Sequence, residues 1–80
     1  MKYVLFGKAT CPFCVKAGTL LEEKNLTYHM VNFEENQAEA LHAVKTAWDW
    51  KTVPIIFYVN DSGDIKFLGG CDDLEKHLDV

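Results

Sequence analysis

Residues 8–18, KATCPFCVKAG, place two cysteines three positions apart with a proline between them. The stretch follows KYVLFG at residues 2–7, an apolar run rich in strand formers that predicts a buried strand. Proline is favoured at the first position of a helix, because its missing N–H would be unpaired there. We therefore predict a helix from Pro12 to about Lys24, with Cys11 as its N-cap residue.

The two cysteines have different predicted environments. At the N-cap, the Cys11 sulfur faces unpaired backbone N–H groups and the positive end of the helix dipole, which both favour the thiolate. Lys8, three residues upstream, adds positive charge. Cys14 lies one turn further on, less exposed, at a spacing that permits a disulfide. Cys11 is the predicted attacking cysteine and Cys14 the predicted resolving cysteine.

The rest of the chain predicts an α/β fold. A strand, a helix and a second strand in close succession indicate a right-handed parallel crossover, and NDSGD between two apolar runs indicates a hairpin turn. We expect a four-stranded mixed sheet, two parallel strands plus an antiparallel hairpin, flanked by three helices, in a single domain over residues 1–80. After the first helix, the predicted strands are 26–32, 53–59 and 65–70, and the predicted helices are 35–48 and 72–78.

Apolar periodicity predicts which side chains of the helices face the core. Trp48 continues a stripe on the second helix and is predicted to lie in the core. Trp50, two positions on, cannot share that face and is predicted to border a binding groove. The other predicted core residues are Val15, Ala17, Leu20 and Leu21 on the first helix, and Leu41 and Val44 on the second.

Composition and charge exclude several classes of protein. A chain of 80 residues that is 49% hydrophobic suits one small core rather than a disordered segment. Residues 1–24 carry four lysines against two glutamates, whereas the rest carries four lysines against ten acidic residues, so the cysteine pair lies in the only basic segment. With no arginine and a net charge of −4, nucleic acid is not an expected partner.

From the sequence we expect neither a targeting segment nor a membrane span. MKYVLF leaves no room for a signal peptide, and no apolar run approaches the eighteen or so residues of a span. We expect a cytoplasmic protein without a membrane partner. In a reducing compartment, an odd count of three cysteines suits a catalytic or metal-binding pair better than a disulfide scaffold.

Two other uses of the cysteine pair are less favourable. A structural disulfide across so short a loop removes little chain entropy and would be reduced in the cytosol. Zinc needs four ligands, but here a C-x-x-C is joined only by Cys71 and three scattered histidines, His29, His42 and His77. No metal site is therefore predicted, and a redox centre is favoured.

Three ordered motifs resemble the glutaredoxin family, the glutathione-dependent branch of the thioredoxin superfamily. They are TCPFC at 10–14, TVP at 52–54 and GGCDDL at 69–74, and the resemblance that rests on them extends over nearly the whole chain. Phe13 departs from the family's usual Cys-Pro-Tyr-Cys and removes a phenolic hydroxyl. Thioredoxins usually read Trp-Cys-Gly-Pro-Cys, whereas position 10 here is threonine. The resemblance implies a thioredoxin-like fold.

The TVP motif has one interpretation from the sequence alone and a different one from the resemblance. Alone, Pro54 fits the first residue of a strand, where its missing N–H is tolerated, with an ordinary trans bond. The resemblance implies a cis proline facing Cys11, which exposes the backbone N–H and C=O of Val53. These groups would pair with the cysteine residue of glutathione as an added strand does.

The GGCDDL motif likewise has one interpretation from the sequence alone and another from the resemblance. Alone, it is a tight turn followed by aspartates that cap a helix. The resemblance implies that backbone groups of Cys71 and Asp72, with the carboxylate of Asp72 or Asp73, hold the γ-glutamyl end of glutathione. Lys8 and Lys51 are either surface charges or the family's basic positions near the glycyl carboxylate. The full predicted glutathione site is Lys8, Phe13, Lys51, Thr52, Val53, Pro54, Gly70, Cys71, Asp72 and Asp73.

The resemblance implies a glutathione-dependent thiol–disulfide oxidoreductase that uses glutathione as co-substrate and holds no tightly bound cofactor. Its partners would be disulfide-containing or glutathionylated proteins, with ribonucleotide reductase as a candidate client, and we expect a monomer. One alternative is a carrier of a glutathione-ligated [2Fe–2S] cluster, which the rigid Pro12 disfavours. The other is a redoxin that takes electrons from thioredoxin reductase.

Overall fold

Strands and helices alternate along the chain in the predicted order. The computed structural model describes residues 2–79. A 3-10 turn, Glu35–Gln37, leads into the second helix. The elements are β1 (Lys2–Gly7), α1 (Pro12–Glu23), β2 (Tyr28–Asn32), α2 (Ala38–Ala47), β3 (Ile55–Val59), β4 (Ile65–Gly69) and α3 (Cys71–Leu78).

The four strands form one mixed sheet in the order β2-β1-β3-β4. β1 pairs in parallel with β2, with Gly7 opposite Asn32 at the carboxyl ends. β3 runs antiparallel to both β1 and β4. At the β3–β4 turn, Asn60 Oδ1 accepts hydrogen bonds from the backbone N–H groups of Ser62 and Asp64. The predicted sheet, hairpin and three helices are confirmed.

Apolar side chains form a cluster on each face of the sheet. On one face, α1 and α3 pack against β1 and β3, and Leu5, Leu21, Ile56 and Leu74 are fully buried there. On the other face, α2 is held mainly by Leu41. Because α1 and α3 share one face, their N-termini can contribute to one site. No helix within residues 2–79 has the length and apolar character needed to cross a membrane.

Two predicted core residues are exposed. Val15 is 59% exposed, because the buried face of α1 follows Cys14 and Leu21 and Val15 lies about 100° away from it. Trp48 is 46% exposed: it follows the last turn of α2, and its ring packs edge-on against Phe57 at 4.9 Å while its outer side faces solvent. The prediction that both lie in the core was therefore wrong.

Two strands begin later than predicted, for different reasons. After α1, Asn25 takes a left-handed conformation with φ 56°, and Leu26 donates its N–H to the carbonyl of Leu21 at 3.0 Å. This hydrogen bond closes the C-terminus of α1 and involves Leu26, the residue predicted to start β2. The strand therefore begins only at Tyr28. β3 begins at Ile55 because the residues up to Pro54 form a loop.

Removing a fully buried side chain is expected to weaken the fold. Leu74→Ala leaves a cavity between α3 and the sheet and should lower the free energy of unfolding by about 2–5 kcal/mol in a urea titration. Val15→Ala is the matched control on an exposed position and should stay within about 0.5 kcal/mol of the wild type. Equal losses in the two variants would contradict the described packing of α1 and α3.

Candidate active site

The Cys11 sulfur lies at the N-terminus of α1. Cys11 is the N-cap residue, with an extended backbone (φ −87°, ψ 113°), and Pro12 follows it in the first turn. The backbone N–H of Cys14 donates to the Cys11 sulfur at 3.3 Å. This bond and the unpaired N–H groups of the first turn stabilise negative charge on the sulfur. The predicted N-cap position of Cys11 is confirmed.

Cys14 is the buried member of the pair. Burial, and secondly its hydrogen bond with Cys11, raise the pKa of Cys14 to about 12. All three cysteines are free thiols, and only Cys11 among them is partly exposed. At neutral pH the site therefore presents one accessible sulfur at a helix N-terminus, with a protonated thiol one turn behind it.

Gly7 leaves the space that the Cys14 thiol occupies. A Cβ atom built on Gly7 would collide with the Cys14 sulfur, so no larger residue fits at the end of β1 without moving that thiol. From the sequence, Gly7 was predicted only as the last residue of a strand. The missed signal is its position, seven residues before Cys14 and directly before the cysteine loop.

A groove of about 230 Å³ runs beside the cysteine loop. Three segments that are distant in sequence form it: the start of α1, the loop before β3 and the start of α3. Trp50 lines the groove, as predicted. The residues that line the groove are Phe13, Trp50, Thr52, Val53, Pro54, Gly70, Cys71, Asp72 and Asp73.

Two predicted site residues lie outside this groove. Lys8 lines a separate cavity together with Asn32 and Glu34, and Lys51 lines another together with His42. The structure therefore brings the TCPFC, TVP and GGCDDL motifs together, but it does not bring these two lysines into the same groove.

The loop before β3 faces the cysteine. The Val53–Pro54 peptide bond is cis, as the resemblance implied, and Pro54 is fully buried. The Val53 carbonyl oxygen lies 3.8 Å from the Cys11 sulfur. Since Val53 precedes β3, its N–H and C=O take no part in the β1–β3 ladder. An extended ligand lying across Cys11 could therefore pair with them.

The two aspartates at the start of α3 have different surroundings. Asp73 Oδ2 accepts a hydrogen bond from the Gly70 N–H at 3.0 Å, so this carboxylate caps its own helix. Gly69, at φ 120°, lies against the same side chain, where a Cβ atom would collide with it. Asp72 is exposed. The sequence did not decide whether the carboxylate of Asp72 or that of Asp73 contacts a ligand. In the structure, the Asp72 carboxylate is the better placed of the two.

Cys71 is a buried thiol in the first turn of α3. Its sulfur lies 3.8 Å from Glu75 Oε1, which also accepts the Lys16 ammonium of α1 at 2.8 Å. Burial raises the pKa of Cys71, while the positive charge of Lys16 opposes that shift. Cys71 therefore lines the groove as a protonated thiol at neutral pH. Between residues 2 and 79, no group of three or more histidine, cysteine or acidic side chains is placed to hold a metal ion.

Comparison with known proteins identifies the family. The family model described as Glutaredoxin matches residues 3–62, which include the cysteine pair and the cis-proline loop. The chain belongs to the glutaredoxin family. It is 39% identical over 79 residues to Glutaredoxin 1 of Rickettsia conorii, covering 91% of this chain and 71% of that protein.

Solved glutaredoxin structures have the same fold. A wheat glutaredoxin superposes with a TM-score of 0.80 at 29% identity, covering 98% of this chain and 71% of that one. A buckwheat glutaredoxin, solved as a complex with glutathione, gives 0.76 at 29% identity and covers 96% and 68%. This glutaredoxin therefore has a thioredoxin-like fold, and its family supports a thiol–disulfide oxidoreductase.

Alkylation should distinguish the three thiols. Iodoacetamide at pH 7 should modify Cys11 well before Cys14 and Cys71, because burial covers the latter two and raises their pKa. Peptide mass spectrometry after short exposures measures the order. Modification of Cys14 or Cys71 at the rate of Cys11 would contradict the described environments.

Gly7→Ala should disturb Cys14 in particular. The added methyl group competes with the Cys14 sulfur, so the free energy of unfolding should fall by about 1–3 kcal/mol and the Cys11–Cys14 disulfide should form more slowly with diamide. Gly18→Ala is the control, since its Cβ would meet nothing closer than 3.4 Å. That variant should be as stable as the wild type or up to about 1 kcal/mol more stable. Similar behaviour of both variants would contradict this role of Gly7.

Proposed function

We propose that this glutaredoxin reduces glutathione mixed disulfides and protein disulfides with electrons from glutathione. The observation that carries the proposal is the position of the Cys11 sulfur, at a helix N-terminus and 3.8 Å from the Val53 carbonyl beside the groove. A ligand extended along Val53 would bring its own sulfur to Cys11. Glutathione meets this requirement, because its cysteine is the middle residue and would lie at Val53 with one residue on either side.

The first reaction uses Cys11 alone. Its thiolate attacks the glutathionyl sulfur of a mixed disulfide, the bond to the client protein breaks, and the client leaves as a thiolate that takes up a proton. Cys11 is then joined to glutathione. The thiolate of a second glutathione attacks the glutathionyl sulfur, which releases glutathione disulfide and restores the Cys11 thiolate. One free glutathione is consumed for each client thiol released, because the other half of the glutathione disulfide comes from the mixed disulfide itself.

The second reaction uses both cysteines. Cys11 attacks a disulfide of the client and breaks its sulfur–sulfur bond, so that one client sulfur is joined to Cys11 and the other is freed as a thiolate that takes up a proton. Cys14 then attacks the Cys11 sulfur and displaces the client. Because the pKa of Cys14 is about 12, it must lose a proton in this step, and the departing client thiolate is the acceptor in this scheme. Two glutathione molecules then reduce the Cys11–Cys14 disulfide.

Each end of glutathione would meet a different part of the groove. The Val53 N–H and C=O would pair with its cysteine residue, and the first N–H groups of α3 would bind the α-carboxylate of its γ-glutamyl residue. The Asp72 carboxylate would attract the adjacent ammonium. Lys8 and Lys51, on the loops before Cys11 and Thr52, would attract the net negative charge of glutathione through longer-range electrostatics.

The wider setting of this reaction is also proposed. Glutathione acts as a co-substrate without a tightly bound cofactor, and glutathione disulfide is reduced again by NADPH through glutathione reductase. We place the protein in the cytoplasm as a monomer. Its clients are disulfide-containing or glutathionylated proteins, among which ribonucleotide reductase is one candidate.

Two cysteine variants test this division of roles. With a glutathionylated peptide, NADPH and glutathione reductase, the wild type and Cys14→Ser should turn over, whereas Cys11→Ser should show no turnover. With a protein disulfide as substrate, Cys14→Ser should lose activity because the client is no longer displaced by the second thiol. Equal loss of both activities in Cys14→Ser would contradict the scheme. If the wild type turns over only with thioredoxin reductase and not with glutathione, glutathione is not the electron donor and the proposal is contradicted.

A further inference from the structure

The indole N–H of Trp50 is a buried donor with no hydrogen-bond acceptor in the part of the chain that the structure describes. Its ring packs edge-on against Phe67, with ring centres 5.4 Å apart, and forms part of the groove wall. A Cβ atom built on Gly70 would lie 3.7 Å from Trp50 Cζ2 and 3.9 Å from Nε1. The polar edge of the indole therefore lies beside the start of α3.

An unpaired buried N–H is unfavourable, and a buried tryptophan usually finds a partner for it. A phenylalanine ring would pack on Phe67 without that unpaired donor. A hydrogen-bond acceptor that enters the groove from outside the chain would therefore remove the free-energy cost of the unpaired Trp50 N–H.

The neighbouring groups indicate an anionic acceptor. The N–H groups of Cys71 and Asp72, in the first turn of α3, have no acceptor within the helix, whereas Gly70 is already bonded to Asp73. The Trp50 N–H lies beside the same helix end, so a carboxylate there would be met by backbone donors and one side-chain donor. An ammonium group would meet the Asp72 carboxylate instead.

We propose that Trp50 is a glutathione-binding residue whose indole N–H donates a hydrogen bond to the α-carboxylate of the γ-glutamyl residue. This inference rests on the proposed function, because it needs glutathione in the groove. The nitrogen is covered in the present conformation, so a small rotation of the indole accompanies binding. The residue sets affinity and selectivity for the γ-glutamyl end and leaves the chemistry at Cys11 unchanged.

Kinetics of two tryptophan variants provide the first test. Trp50→Phe keeps an aromatic ring on Phe67 and removes the N–H, so the KM for a glutathionylated peptide should rise about tenfold while kcat stays unchanged. Trp48→Phe is the matched control, because Trp48 lines a different cavity, with Val4 and Phe6, and both of its constants should match the wild type. Circular dichroism confirms that each variant is folded.

A modified ligand provides the second test. The peptide is glutathionylated with an analogue that lacks the α-carboxylate of the γ-glutamyl residue. The wild type should lose most of its advantage over Trp50→Phe with this substrate, because the acceptor is gone. If Trp50→Phe and the removal of the α-carboxylate each raise KM by the same factor whether or not the other change is present, the two groups do not interact and the proposed contact is overturned.

The indole resonances report the bond directly. In Cys14→Ser carrying glutathione on Cys11, the Trp50 Nε1–H signal in a ¹⁵N correlation spectrum should move, while that of Trp48 should stay in place. An unmoved Trp50 signal with glutathione attached, or an unchanged KM in Trp50→Phe, overturns the inference and leaves the proposed function standing. Absence of glutathione-dependent turnover in the wild type overturns both.

Discussion

The site depends on the N-terminus of α1 being directed at one sulfur atom. Cys11 ends the loop after β1, and its sulfur accepts the N–H of Cys14 at 3.3 Å. The backbone donors of the first turn are available because Pro12 starts the helix at this point. Their orientation is preorganised, so stabilising charge on the sulfur requires no movement of the chain.

Packing, rather than surface charge, holds the other parts of the groove around that sulfur. Leu5, Leu21, Ile56 and Leu74 join α1 and α3 to the same face of the sheet. The exposed Lys16–Glu75 ion pair also links the two helices, but such a pair contributes about 0–1 kcal/mol. The common apolar core therefore sets the distance between the cysteine and the start of α3.

Local chemistry made much of this arrangement predictable from sequence. A proline after a cysteine indicates a helix start, and glycines followed by aspartates indicate another. Cys11 was therefore placed correctly as an N-cap residue, whereas the last helix begins at Cys71, one residue before its predicted start, with Gly70 as its N-cap. The three motifs of the family then brought the cysteine pair, the cis-proline loop and the start of α3 into one site.

Long-range packing explains what the sequence did not predict. Val15 is apolar, but the register of α1 on the sheet turns it outward. Gly7 meets Cys14 only after β1 and α1 fold together, so its role had no local signal. Lys8 and Lys51 flank the motifs in sequence, yet their loops direct them to other cavities.

We propose that the groove presents glutathione, rather than the client protein, to Cys11. Cys14→Ser, which cannot release a trapped partner through a second thiol, is mixed with a glutathionylated peptide without free glutathione, and the adduct on Cys11 is identified by intact-protein mass spectrometry. We expect the mass of one glutathionyl group on Cys11, with free peptide released. An adduct of the peptide itself on Cys11 would contradict it.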